Sequence, residues 1–158
     1  MKWLDKNAKK ICRLKQPEAA AHGCFVAPAF YEIRSLSQLN RENFGPILHV
    51  VRFSGEKLGE VVEAINATGY GLTIGLQSRI DTVRDYVEEH ARVGNFYVNR
   101  NQIGAVVESQ PFGGEGLSGT GPKAGGPHYV ARFATERVTC IDTTAAGGNA
   151  SLMAAIDG

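Results

Sequence analysis

Between residues 47 and 99 the chain alternates two periodicities, and that alternation restricts its fold more than any other feature. The runs "ILHVVRF" (47–53), "LTIGLQS" (72–78) and "NFYVN" (95–99) are short, rich in β-branched and aromatic residues, and bounded by turn signals, which predicts strands. Between them, "EKLGEVVEAINATGYG" repeats Leu58, Val61, Val62 and Ile65 at helical spacing. "IDTVRDYVEEHARVG" does the same with Val83, Tyr86, Val87 and His90. Gly69 and Gly94 are placed to end these helices. Strand, helix, strand, helix, strand with short connections implies parallel pairing through right-handed crossovers, so the fold class expected is α/β with a parallel sheet flanked by helices. Upstream, "CFVAPAFYEI" (24–33) reads as a strand limited by Pro28, and the first fifteen residues as an amphipathic helix. No internal repeat or low-complexity block interrupts this plan.

At 158 residues, with 43% hydrophobic and 21% charged content, the chain has the material for a single core. A net charge of +1 gives no electrostatic reason to expect nucleic acid or an anionic membrane as partner. The opening "MKWLDKNAKKICRLKQ" lacks the continuous apolar core of a signal peptide, and no run reaches membrane-span length, so a cytoplasmic location is expected. Cys12, Cys24 and Cys140 form no C-x-x-C pair and are odd in number, which supports neither a disulfide framework nor zinc. They are expected to be reduced and mostly buried. His22, His49, His90 and His128 share no metal-ligand spacing, and no metal site is expected.

The stretch "GGEGLSGTGPKAGGPHY" (113–129) places seven glycines in seventeen positions. Glycine is costly to order, so such a cluster implies positive φ angles or close approach of another group to the main chain. Leu117, Pro122, Lys123, Pro127 and Tyr129 interrupt the glycines, which predicts an ordered loop over a flexible linker. The loop follows the strand at 95–99 and "RNQIGAVVESQPF", near the carboxyl end of a strand, where α/β sheets collect ligands. "GEGLSG" (114–119) satisfies G-x-G-x-x-G literally but lacks its context and downstream acid, so its N–H groups are better suited to a carboxylate than to a dinucleotide. Ser118 is expected to fix a turn and Lys123 to face water.

Four stretches together, "ENFGPILHVVRF", "GYGLTIGLQSRID", "VGNFYVNRNQIGAVVESQPFGGEGLSGTGPKAGGPHY" and "TTAAGGNASL", resemble the L-glutamate γ-semialdehyde (Δ1-pyrroline-5-carboxylate) dehydrogenase module of the bacterial proline utilization A family, a branch of the aldehyde dehydrogenase superfamily. The likeness is to the C-terminal part of that module and runs from about residue 23 to the end. Glu-x-Phe-Gly-Pro is shared broadly across the superfamily; the glycine loop and the tail are more specific to the proline-catabolic branch. The resemblance implies oxidation of glutamate γ-semialdehyde to glutamate with NAD+ as hydride acceptor, through a cysteine thiolate and a thioester. Three segments are expected: an N-terminal helical extension (1–22) that precedes the resemblance, part of the catalytic domain (23–138), and, as the resemblance implies, a C-terminal oligomerisation strand and tail (139–158).

Carried over by residue, the resemblance implies that Glu42 hydrogen-bonds the nicotinamide ribose and that Phe44 packs near the nicotinamide. A solvated loop glutamate and a core phenylalanine are the alternatives from the residues alone. It further implies that the backbone N–H groups of Gly125 and Gly126 bind the substrate's α-carboxylate, and that Phe133 borders its aliphatic part. A core aromatic is the alternative for Phe133. The family nucleophile is a cysteine followed by serine and lying upstream of Glu-x-Phe-Gly-Pro. Cys12 precedes Arg13, Cys24 precedes Phe25 and Cys140 precedes Ile141, so none matches it. The general-base glutamate and the dinucleotide-binding domain also have no counterpart. Asn43 and Glu108 depart from the family pattern, at positions where apolar or small residues are usual; both are tolerable if exposed. The chain is therefore expected to be a piece or truncated form of the dehydrogenase, inactive alone. The alternatives are a non-catalytic carboxylate-binding or oligomer-assembly module and one half of a split enzyme.

Overall fold

The structure, a computed structural model, describes residues 1–142. It opens with α1 (Lys2–Asn7), followed by β1 (Lys9–Arg13), β2 (Ala29–Glu32) and β3 (Ile47–Val50), which form one sheet in the order β1-β2-β3. β1 runs antiparallel to β2, with a bulge that leaves Ile11 unmatched between the Lys10 and Cys12 pairs, and β2 runs parallel to β3. Alternation along β2 buries Ala29 and Tyr31 and exposes Phe30. Ala29, Tyr31, Ile33 and Leu4 of α1 form a core backed by Ala8, Leu39, Ile47 and Val51. Burial of each large apolar side chain contributes about 2 kcal/mol.

One polar cluster ties α1 to this sheet. The fully buried Tyr31 donates its hydroxyl hydrogen to Asp5 Oδ1 at 2.7 Å, while Arg13 Nη2 donates to the same carboxylate at 2.6 Å and to the tyrosine oxygen. The Arg13 hydrogen bond, aided by that from Tyr31, holds the Asp5 carboxyl below its usual range; burial first, and then Asp5, push the Tyr31 phenol up.

The second half is built on α2 (Leu58–Asn66), β4 (Tyr70–Gly71), β5 (Thr73–Leu76), α3 (Asp81–His90), β6 (Asn95–Val98) and β7 (Glu115–Gly116). β5 and β6 are parallel, with α3 as the crossover, and β4 pairs antiparallel with β7. Val62 of α2 and Val87 of α3 are buried. The helices approach closely at Gly59, where a Cβ would lie 2.9 Å from the Tyr86 hydroxyl. Asn66 joins their carboxyl ends, donating to His90 O and accepting from Arg92 N–H, both at 2.8 Å.

The α/β class holds, with both helices close to their expected positions and the expected parallel connection from β5 through α3 to β6, whereas β3 does not pair with β5 among the described residues. Four expectations do not hold. The parallel pairs do not share one sheet among the described residues: β3 pairs with β2, and β5 with β6. The first fifteen residues are not one helix. Ala8 is extended (φ −128°), and residues 9–13 become a strand because β2 offers them a hydrogen-bonding edge. The helices end before their expected glycines, at Asn66 and His90. All three cysteines are exposed, since Cys12 lies on the outer strand of its sheet and Cys24 and Cys140 lie in irregular segments. Of the expected C-terminal strand, residues 139–142 are irregular, and 143–158 lie outside the described residues. Among the described residues no helix is long and apolar enough to cross a membrane, and no group of His, Cys, Asp and Glu could hold a metal.

Candidate substrate and cofactor site

The glycine loop is ordered by main-chain contact. Leu117 N–H donates to Gly69 O at 2.8 Å, Gly94 N–H to Gly71 O at 3.0 Å, and Phe112 and Ala124 exchange bonds of 3.0 and 2.8 Å across the loop's base. At Gly94 a Cβ would lie 1.8 Å from Gly113 O, and at Gly116 (φ +58°) one would lie 2.4 Å from Gly69 O. These glycines are required because backbone lies directly on backbone. Gly114 and Gly116 of "GEGLSG" lie against Ser118 and Gly69, and among the described residues no α-helix follows this stretch, so it lacks the helix N-terminus of a pyrophosphate cradle.

Two side chains not singled out in the sequence hold the loop in place. Asn95, only 7% exposed at the start of β6, donates to Pro111 O at 2.9 Å and accepts from Gly113 N–H at 3.2 Å. Its signal was available: Asn95 alternates with Tyr97 on the buried face of an otherwise apolar strand. Arg100 lies over the Tyr97 ring, 4.3 Å from its centroid, and donates to Ile103 O and to the Gln110 side chain, which fixes the approach to the loop. Ser118 accepts from Gly71 N–H at 3.1 Å, in keeping with a turn-fixing role. Lys123 departs from expectation: half-buried, it donates to Gly113 O at 2.8 Å instead of facing water.

Gly125 has φ +75° and accepts at its carbonyl from Glu108 N–H at 2.9 Å. A Cβ there would lie 3.2 Å from Val107 Cα, so a side chain would crowd the loop as well as any ligand. Gly126 N–H closes a turn on Lys123 O at 2.9 Å, a bond that a carboxylate would have to share or replace. Phe133 ends a short 3₁₀ turn (Val130–Phe133), 77% exposed, with its ring edge-on to Tyr129 at 5.4 Å; it is not a core aromatic.

Glu42 and Phe44 sit on the irregular segment that leads into β3. Glu42 is exposed and has no hydrogen-bond or ion-pair partner among the described residues, and Phe44 is 95% exposed, which removes the core alternative. A free carboxylate and a bare aromatic face two residues apart fit the ribose hydroxyls and nicotinamide ring of NAD. Among the described residues no hydrogen bond, ion pair or ring contact joins this pair to Gly125, Gly126 or Phe133. Asn43 and Glu108 are both exposed, so neither departure from the family pattern disturbs a core.

An aldehyde dehydrogenase family model matches residues 2–139, and the chain belongs to the aldehyde dehydrogenase family. Within it, the likeness is to proline utilization A and to 1-pyrroline-5-carboxylate dehydrogenases. The bifunctional protein PutA of Klebsiella aerogenes is 58% identical over 116 residues, which cover 73% of this chain and 9% of that protein. A crystal structure of a Bradyrhizobium japonicum proline utilization A variant superposes with a TM-score of 0.81 at 56% identity, covering 86% of this chain and 14% of that one. A Thermus 1-pyrroline-5-carboxylate dehydrogenase with bound NAD gives 0.71 at 35% identity, covering 82% and 25%. The chain thus spans between 9% and 25% of the lengths of these relatives. The family match reaches back over residues 2–22, beyond the motifs that carried the resemblance, in agreement with β1 being an integral strand.

Proposed function

We propose that this chain is the carboxylate-holding and nicotinamide-facing part of an NAD-dependent L-glutamate γ-semialdehyde dehydrogenase of proline catabolism, inactive on its own. The observation that carries the reading is the preformed 111–126 loop, whose base is closed by the Phe112 and Ala124 bonds, with Gly125 beside that base in a left-handed conformation. In this reading the Gly125 and Gly126 N–H groups hold the α-carboxylate and Phe133 borders the methylene chain. Glu42 accepts from the ribose hydroxyls and Phe44 packs on the ring of NAD, which would accept hydride when bound. None of the three cysteines has the expected nucleophile context, so positioning here is not accompanied by thioester formation. A cytoplasmic location and homo-oligomeric contact through 139–158 belong to the same reading.

An amide NMR titration with L-glutamate, which carries the same α-carboxylate, tests it. Saturable shifts at Gly125 and Gly126, abolished in Gly125→Val, are expected; shifts confined to other regions would contradict it. Incubation with the semialdehyde and NAD+ should yield no NADH, and chain-dependent NADH would overturn the claim of inactivity.

A further inference from the structure

A second concave site lies beside the Glu42 segment without including Glu42 or Phe44. It is a cavity of about 550 Å³ between α1, β3 and the segment 37–43, within the size range of small-molecule pockets. Leu4, Leu39 and Ile47 give it an apolar wall continuous with the core. Trp3, on the first turn of α1, is half-exposed beside that wall and offers an indole face. Opposite in character is Arg41, an exposed guanidinium with no ion-pair partner among the described residues. No aspartate or glutamate lines the cavity, and Ser37, His49 and side-chain amides add further polar surface.

We propose that this cavity binds a small aromatic carboxylate, with its ring against Trp3 and the apolar wall and its carboxylate on Arg41. A guanidinium presents a planar fork of donors that matches a carboxylate, and an indole prefers an aromatic partner in offset or edge-on contact. A bare inorganic anion would leave the apolar wall without a partner, and a neutral aromatic would forgo the charge-assisted hydrogen bonds that the exposed Arg41 guanidinium can give a carboxylate. The proposal is independent of the dehydrogenase reading, since it uses none of the residues assigned to NAD or to the semialdehyde.

The test is titration of the 158-residue chain with 2-naphthoate, followed by calorimetry and by the indole N–H resonance of Trp3, the single tryptophan of the chain. Saturable binding with a Kd of roughly 1 mM or tighter is expected, together with a shift of the Trp3 resonance. Arg41→Gln should weaken binding by about tenfold or more. The neutral analogue 2-naphthylmethanol should be weaker by a similar factor on the unaltered protein, a comparison that needs no variant. Acetate should not compete. Absence of saturation, binding that leaves the Trp3 resonance unmoved, equal affinity for the neutral analogue, unchanged affinity in a folded Arg41→Gln chain, or equal binding of acetate would each overturn the proposal.

Discussion

The glycine loop and the Glu42–Phe44 segment are both irregular, yet they are built in opposite ways. The loop at 111–126 is held by its own chain: Asn95 reaches it from the start of β6 and Arg100 from just beyond its end, Ser118 ties it to β4, and its main chain rests on residues 69, 71 and 94. The segment at 40–46 presents Glu42 and Phe44 with little support, the Asn43 side chain bonding Arg41 O and Ile47 N–H closing a turn on Gly45 O. The difference teaches that the loop proposed to hold the carboxylate is shaped within this chain, whereas the residues proposed to face the cofactor are only displayed by it. A preformed donor set loses less entropy on binding than a set that must be ordered by its ligand.

The largest test of this contrast is Gly94→Ala. A methyl placed 1.8 Å from Gly113 O forces the loop off its platform, and destabilisation of about 3 kcal/mol is expected in chemical denaturation. Asn95→Ala should follow, at about 2 kcal/mol, because it leaves Pro111 O and Gly113 N–H without their buried partner. The same variant should raise amide exchange across 111–126 and leave β1–β3 unchanged.

Acid should act on the N-terminal sheet. Burial depresses the His49 imidazole below its ordinary value, so the unfolded chain takes up that proton first as the pH falls. Its contribution is complete above about pH 6.5 and is lost as the pH falls toward the folded-state pKa. His49→Gln should flatten that part of a melting-temperature profile. Asp5, lowered chiefly by its hydrogen bond from Arg13, gives stability that disappears at still lower pH, as the pH falls through its folded-state value. The smallest effect belongs to Phe44→Ala. With the ring 95% exposed, the change in stability should stay within about 0.5 kcal/mol, and a large loss in thermal unfolding would show that the segment is packed after all.

Legibility in the sequence followed the range of the interactions. α2, α3, β5 and β6 were readable because their apolar residues repeat within a few positions, and the order of the glycine loop was readable from Pro122 and Pro127. β1 was not, since Lys9 to Arg13 carry no decisive period and become a strand only by pairing with residues 29–32. The separation of the parallel pairs into two sheets depends on equally distant partners. The reason for the glycines was hidden for the same cause: Gly94 and Gly113 meet only in the folded chain. Asn95 left a signal that went unused, a polar residue on the inward face of a strand. Glu42 and Phe44 were legible only through the Glu-x-Phe-Gly-Pro motif, because two exposed loop residues leave no mark on periodicity or burial.

Residue-resolved amide hydrogen exchange on the isolated chain tests the central contrast most directly. Slow exchange at Phe112, Leu117 and Ala124, with exchange near the unprotected rate at Glu42, Asn43 and Phe44, is the result predicted from the hydrogen bonds of the two regions. Equal, unprotected exchange in both would contradict it, and would mean that the loop proposed to hold the carboxylate is not preformed by this chain.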